Sequence, residues 1–165
     1  MTDGRPPEPD RKLPRLRILF LCTGNSCRSQ MAEAWTRKLH PQQFEAHSAG
    51  THPDPLDPRT VRVMAEVGID IANHRSKHLD EVIGMNFDCV ITVCDNAREI
   101  CPVFPGNTRR THVGFDDPAR LASGLSGEEE AFALYRRVRD QIRDYVAKLP
   151  ELPATRSSAD GSFGN

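Results

Sequence analysis

Three features are missing from this 165-residue sequence: an excess of one charge, a long apolar run and a paired cysteine framework. It has 22 Lys and Arg residues against 23 Asp and Glu residues. Without a basic excess, nucleic acid is not expected as its main partner. No apolar run approaches the ~20 residues of a membrane-spanning helix, so no membrane partner is expected either. The five cysteines are irregularly spaced, which is typical of a reducing compartment and predicts a cytoplasmic protein.

Short apolar runs alternate with amphipathic segments along most of the chain. Strands are predicted at 16–21, 44–48, 87–93 and 108–112, and a small-residue turn at Ala49-Gly50 is expected to end the second. Helices are predicted at 29–40 and at 128–149. A further helix is predicted to begin at Pro58, with Asp57 as its N-terminal cap. Shorter helical turns are expected at 79–83 and 95–100. This alternation predicts an α/β fold in which a parallel sheet has helices on both faces.

The chain is organised around the stretch LRILFLCTGNSCRSQMAEAW, residues 16–35. Its apolar run predicts a buried strand that ends before Cys22, and the four-residue spacing of Met31 and Trp35 predicts a helix. The loop between them therefore opens onto a helix N-terminus. Backbone N–H groups and the positive end of the helix dipole converge there, which favours binding of an oxyanion.

Within this loop, Cys22 is the candidate nucleophile and Arg28 offers a planar, charged fork suited to a tetrahedral oxyanion. Ser29 can donate a hydrogen bond to the Cys22 sulfur. These groups favour the thiolate and predict that the Cys22 pKa falls from about 8.5 toward about 6. Without the surrounding motif, Cys22 would be interpreted more simply as a buried core cysteine at the end of a strand. The residues expected to bind the oxyanion are Thr23, Gly24, Asn25, Ser26, Cys27, Arg28 and Ser29.

A cysteine and an arginine separated by five residues, Cys22 and Arg28, resemble the signature loop of low-molecular-weight protein tyrosine phosphatases. The longer string CTGNSCRSQMAE resembles their relatives, the thioredoxin-coupled arsenate reductases. The resemblance spans residues 16–149 and includes His47-Ser48-Ala49-Gly50, Ile71-Ala72-Asn73-His74, Cys94 with Cys101, and Gly114-Phe115-Asp116-Asp117-Pro118. It implies a three-layer fold with four parallel strands in the order 2-1-3-4.

Around this single catalytic domain, at 16–149, we expect a disordered leader at 1–15, which is rich in proline and charge, and a disordered tail at 150–165. The apolar run before Cys22 is too short and too far from Met1 for a signal peptide.

The resemblance also implies a disulfide relay that reduces arsenate. Cys22 attacks arsenate, and Cys94 then attacks the Cys22–arsenic adduct, which releases arsenite and leaves a Cys22–Cys94 disulfide. Cys101 attacks Cys94 in turn, and thioredoxin reduces the resulting Cys94–Cys101 disulfide. No bound cofactor or metal is expected, and the protein is expected to be a monomer. A structural zinc on Cys22, Cys27, Cys94 and Cys101 is disfavoured because the six-residue gap between the last two suits zinc poorly.

Asp117 matches the general acid of the family and would protonate the departing oxygen. Asp116 is the fallback for this role. The phosphatases carry tyrosines directly after this Asp-Pro pair, whereas Ala119 and Arg120 follow here, so an aromatic platform is missing. Two other candidates receive no chemical role: Cys89 is predicted to be a core residue and His112 a structural one.

Two other functions stay open. A phosphatase that works through a phosphocysteine intermediate would need Cys22, Arg28 and Asp117 but neither Cys94 nor Cys101. A silent oxyanion-binding module is disfavoured because no group of the loop chemistry is missing. The reductant is open too, since relatives linked to glutaredoxin or mycothiol share the loop.

Lys77 departs from the family pattern. Some arsenate reductases bind potassium through positions that match Asn25, Glu33, Ser48 and an Asp, and this chain has Lys77 where that Asp falls. A lysine cannot ligate a cation. Either its ammonium takes the place of the ion by hydrogen bonding to the same oxygens, or it is a solvated loop lysine.

Overall fold

The computed structural model describes residues 14–95, 101–102, 104 and 106–155. Four strands form one parallel sheet in the order β2-β1-β3-β4, which confirms the predicted 2-1-3-4 arrangement. The strands are β1 (Leu16–Cys22), β2 (Phe44–Gly50), β3 (Cys89–Thr92) and β4 (Arg109–His112). The helices are α1 (Arg28–Leu39), α2 (Pro58–Glu66), α3 (Pro118–Ala122) and α4 (Glu128–Ala147). Short 3-10 turns lie at Leu79–Glu81, Leu149–Glu151 and Pro153–Thr155.

The centre of the sheet is β1, which pairs with β2 on one side and β3 on the other. Its residues 18–21 are fully buried. Since successive strand side chains point to opposite faces, both faces of the sheet must be covered. The long helix α4 buries Tyr135, Val138, Ile142 and Val146, the stripe that the helical spacing predicts. These packed layers fix the end of β1, from which the loop after Cys22 departs.

Most element ends shift by one or two residues from the predictions, so that Cys22 is the last residue of β1 instead of following it. Three differences have a clear cause in the contacts. The strand β2 continues to Gly50 instead of turning at Ala49, because Gly50 pairs with Cys22 and its N–H donates to the Lys77 carbonyl at 2.8 Å. Helix α3 was not predicted; Asp117 caps it by accepting from two backbone N–H groups. Residues 150–155, placed in the predicted tail, form 3-10 turns in which Thr155 is buried and its hydroxyl donates to the Leu149 carbonyl.

Several predicted segments lie outside the described residues. These are most of the leader, the tail from 156 onward and the turn expected at 96–100. Among the described helices, none has the length and apolar character needed to cross a membrane.

Candidate active site

The loop that joins β1 to α1 wraps around the Cys22 sulfur. The Asn25 backbone N–H donates to Cys22 Sγ at 3.1 Å, and Ser29 Oγ lies 2.8 Å from the same sulfur. The Asn25 side-chain amide donates to Ser29 Oγ at 2.8 Å. With an acceptor lone pair occupied in this way, the Ser29 hydroxyl is free to point its single hydrogen at Cys22. The sulfur therefore faces two donors, which favour its thiolate form.

Asn25 is fully buried and has a φ of +50°, in the left-handed region that few non-glycine residues adopt. Neighbouring groups hold it there. Its side-chain oxygen accepts from the Lys77 backbone N–H at 2.8 Å, and its carbonyl accepts from the Ser76 hydroxyl at 2.8 Å. These bonds keep the Asn25 N–H aimed at the sulfur. The sequence predicted that Asn25 binds the oxyanion but gave no sign of this role in orienting the loop.

The predicted fall in the Cys22 pKa is wrong in direction. Burial raises the pKa of the Cys22 thiol above its ordinary value, and the hydrogen bonds from Ser29 and Asn25 oppose that rise. Arg28, which was expected to lower this pKa, directs its guanidinium elsewhere: it donates to the Phe115 carbonyl at 3.0 Å. A buried sulfur with two donors can still ionise when a partner accepts its proton.

Arg28 also faces Asp117, with 3.5 Å between a guanidinium nitrogen and Asp117 Oδ2. The other carboxylate oxygen, Oδ1, caps α3 by accepting from the Ala119 and Arg120 N–H groups at 3.1 and 3.4 Å. Asp116 lines the same cavity, but its carboxylate pairs with Arg137 of α4 at 3.1 Å. Of the two carboxylates, that of Asp117 is therefore the one that pairs with Arg28, the predicted anion-binding residue.

One cavity of about 710 Å³ contains most of these groups. Cys22, Arg28, Cys94 and Asp117 line it together, along with Asp54, a residue that the sequence analysis did not single out. Cys94 is buried in its wall, and its sulfur lies 3.3 Å from the Thr23 hydroxyl. The carboxyl ends of β1 and β3 thus bring two thiols and one guanidinium to the same space, as expected for a parallel sheet.

All five cysteines are free thiols. Cys101 is half-buried, with its sulfur 3.6 Å from the Pro102 carbonyl, and it is not among the described residues that line the cavity. Burial raises the pKa of Cys101, and Arg110 opposes that rise. Burial also raises the pKa of Cys27 and takes that of Cys89 to about 12. In the described ranges, no group of three or more His, Cys, Asp or Glu side chains is arranged to hold a metal ion.

The Lys77 ammonium does not hydrogen bond to the oxygens expected of a potassium substitute. Lys77 Nζ donates to the Arg75 carbonyl at 3.1 Å. The Asn25 side-chain oxygen is bound instead by the Lys77 backbone N–H, and Glu33 accepts from the Ser48 hydroxyl at 2.8 Å. Burial lowers the pKa of Lys77, while the nearby charge of Glu33 opposes that shift. The ammonium therefore acts on this cluster through its charge.

Comparisons with known proteins find relatives over most of the chain. A family model described as low molecular weight phosphotyrosine protein phosphatase matches residues 17–156. An arsenate reductase of Bacillus subtilis (strain 168) is 47% identical over 134 residues, which are 81% of this chain and 94% of that protein.

Two solved structures are also similar. An arsenate reductase from Archaeoglobus fulgidus is 31% identical with a TM-score of 0.64, over 80% of this chain and 97% of that one. A thioredoxin-dependent arsenate reductase from Corynebacterium glutamicum is 27% identical with a TM-score of 0.57, over 80% of this chain and 60% of that one.

Proposed function

The chain belongs to the low molecular weight phosphotyrosine protein phosphatase family, and from that premise we propose that it is an arsenate reductase regenerated by thioredoxin. The observation that carries the proposal is the shared cavity: Cys22 and Cys94 line the same space beside Arg28. A phosphatase of this family needs one cysteine there. A second thiol in the wall is what a reduction by disulfide formation requires.

The first step makes a sulfur–arsenic bond. The Cys22 thiolate attacks arsenate while Arg28 and the backbone N–H groups of the loop hold the remaining oxygens. An oxygen leaves arsenic as water, and the carboxyl group of Asp117, which lines the cavity with Cys22 and Arg28, supplies the proton. Arsenic stays pentavalent in the adduct.

The second step is the reduction itself. The Cys94 thiolate attacks the Cys22 sulfur, so that an S–S bond forms and the S–As bond breaks. The bonding electron pair remains on arsenic, which leaves as arsenite, and the two thiols are oxidised to a disulfide. The Thr23 hydroxyl, 3.3 Å from Cys94 Sγ, supports this step because a hydrogen bond from it stabilises the attacking thiolate.

Cys101 completes the proposed relay by exchanging into the Cys22–Cys94 disulfide and presenting a Cys94–Cys101 disulfide to the reductant. Its half-buried position outside the cavity suits a thiol that meets a partner protein. Thioredoxin is proposed as that partner because one structural neighbour is thioredoxin-dependent.

The competing function is phosphoryl transfer with hydrolysis of a phosphocysteine intermediate. It uses the same Cys22, Arg28 and Asp117. Ala119 and Arg120 line the cavity after Asp117, so the positions where the phosphatases carry tyrosines hold no aromatic ring here. We therefore expect aryl phosphate hydrolysis to be a weak side reaction of the same thiolate.

Arsenite production by the purified chain tests the proposal. We expect turnover with thioredoxin, thioredoxin reductase and NADPH, and little with glutaredoxin or mycothiol systems at equal reducing capacity. Cys22→Ser should abolish both arsenate reduction and aryl phosphate hydrolysis. Arg28→Lys should be nearly as damaging, because an ammonium cannot make the bidentate contact.

Cys94→Ala separates the two functions, and Cys89→Ala is its matched control. Both cysteines are buried, Cys89 as the first residue of β3 and Cys94 two residues after its last, and of the two Cys94 is the one among the described lining residues of the cavity. The Cys94 variant should lose arsenate turnover and keep aryl phosphate hydrolysis, whereas the Cys89 variant should keep both. Wild-type arsenite production by the Cys94 variant would favour the phosphatase and reject the relay.

A further inference from the structure

His112, assigned only a structural role from the sequence, uses both of its ring nitrogens. It is the last residue of β4 and pairs with Thr92, the last residue of β3. Its Nδ1 lies 2.8 Å from Thr92 Oγ1, and its Nε2 lies 3.1 Å from Asp95 Oδ1. An ionised carboxylate only accepts hydrogen bonds, so Nε2 carries the hydrogen that Asp95 receives. The hydrogen bond to Thr92 thus fixes the imidazole ring to the sheet, and the opposite ring nitrogen donates to Asp95.

Asp95 directly follows Cys94, the second thiol of the proposed relay. On the other side of Cys94, the Val93 N–H donates to the Leu21 carbonyl at 2.9 Å, and the Val93 carbonyl accepts from the Phe115 N–H at 3.3 Å. Those bonds anchor the backbone before Cys94. The bond from His112 anchors the residue after it, so Cys94 is held from both sides.

The acceptor of this bond, Asp95, also lies in the wall of the cavity. Asp95 and Gly114 both line it. A Cβ built on Gly114 would be 3.7 Å from His112 Nε2 and 3.8 Å from Asp95 Oδ1, which is ordinary contact distance. The His112–Asp95 hydrogen bond therefore lies beside the loop from Gly114 to Asp117, the proposed proton donor, and at the cavity that Cys22 and Cys94 line.

We propose that His112 is a positioning residue for the second thiol: by holding Asp95 it keeps Cys94 directed at the Cys22 sulfur. This inference rests on the proposed arsenate reduction. In the step concerned, Cys94 attacks Cys22, the S–S bond forms, the S–As bond breaks, and arsenic leaves as As(III) with the electron pair. The proton of the Cys94 thiol passes to an oxygen of the departing arsenite. Without the His112 bond, the backbone after Cys94 loses an anchor, and fewer encounters of the two sulfurs have the geometry for attack.

The experiment follows the relay up to the Cys22–Cys94 disulfide, at arsenate concentrations that saturate formation of the Cys22–arsenic adduct. A Cys101→Ser background stops the relay at the Cys22–Cys94 disulfide, and rapid quenching with peptide mass analysis gives the rate at which that disulfide and arsenite appear. We expect His112→Ala to slow the step about three- to tenfold, the range of one lost hydrogen bond. Alkylation of Cys22 by iodoacetamide, which does not involve Cys94, should change less than about twofold. His112→Gln, which places an amide N–H near the position of Nε2, should restore most of the rate.

The controls separate positioning from general stability. His47→Ala removes a similar half-buried strand histidine that bonds to a carboxylate, Glu45, at 2.8 Å outside the cavity lining. It should leave the step unchanged. Asp95 is 87% exposed, so Asp95→Ala should fold normally, yet slow the step as much as His112→Ala. The double variant should be no slower than either single variant.

Two results would overturn the proposal: an unchanged disulfide rate in His112→Ala and Asp95→Ala, or additive losses in the double variant. Equal losses in disulfide formation and Cys22 alkylation would also overturn it, because they would indicate a disturbed loop. Failure of the proposed function is distinguishable, since the Cys101→Ser parent would then release no arsenite at all.

Discussion

Gly50→Ala should disable the catalytic loop from outside it. Gly50 ends β2 opposite Cys22. A Cβ added there would lie 2.5 Å from the Thr23 carbonyl oxygen and 3.0 Å from the Asn25 nitrogen. The shortest comfortable C···O separation is about 3.3 Å, so the two backbones must separate by about 0.8 Å. They are tied by hydrogen bonds, including His52 N–H to the Thr23 carbonyl at 2.8 Å, and cannot part without moving the loop.

Overpacking of this kind costs about 1–3 kcal/mol of unfolding free energy. A displacement near 1 Å in a catalytic site costs about 100-fold in rate. We therefore expect a measurable fall in melting temperature and a 10- to 100-fold loss, as an order of magnitude, in both arsenate reduction and aryl phosphate hydrolysis. Thermal denaturation and steady-state kinetics measure the two effects.

Gly84→Ala is the matched control, since a Cβ there meets no atom of the described residues within 4 Å. It should change stability by no more than about 0.5 kcal/mol. Normal activity of Gly50→Ala, at normal stability, would refute the claim that close approach of β2 fixes the loop.

Three further predictions concern single side chains. Ser29→Ala removes a donor to Cys22 and should raise the pKa of that thiol further; a pH profile of iodoacetamide alkylation that does not move to higher pH would contradict this. Melting temperatures should be equal in potassium and sodium chloride at one ionic strength, and Lys77→Ala should lower both, since the ammonium already supplies a positive charge near Glu33; selective stabilisation by potassium would argue otherwise. Hydrogen bonds from Arg136 lower the pKa of Glu66 to about 2, so Glu66→Gln should cost up to about 1 kcal/mol at neutral pH.

The sign of the Glu66 effect fixes its pH dependence. The folded-state pKa lies below the ordinary value of 4.5, so the contribution is complete above about pH 4.5 and is lost as the pH falls toward about 2. Urea denaturation of both proteins across this range should show their stabilities converge at the acid end. If the difference in unfolding free energy between the two proteins stayed constant over this pH range, the ion pair of Glu66 would not stabilise the fold.

Sequence patterns predicted the sheet well because they reflect local burial. The fully apolar run at 18–21 predicted a short buried strand, and the spacing of Tyr135, Val138 and Ile142 marked the buried face of α4. The residue types that gather around the cavity were also predicted, since strand ends of a parallel sheet meet at one edge.

Features that depend on contacts between distant segments were not predictable. The left-handed Asn25 is held by Ser76 and the Lys77 N–H, about fifty residues away in the chain. The pKa of Cys22 depends on how deeply the sulfur is buried and on where Arg28 points, neither of which a loop motif specifies. The strand β2 extends to Gly50 because Gly50 pairs with Cys22. From the sequence alone, the two small residues Ala49 and Gly50 suggested a turn.

The most direct test of the proposed chemistry is the stoichiometry of Cys101→Ser with excess arsenate and thioredoxin. We predict one arsenite released per enzyme molecule, followed by arrest, with the Cys22–Cys94 disulfide identified by mass analysis after proteolysis. Continued turnover at the wild-type rate, or arsenite release with Cys94 still reduced, would contradict the relay.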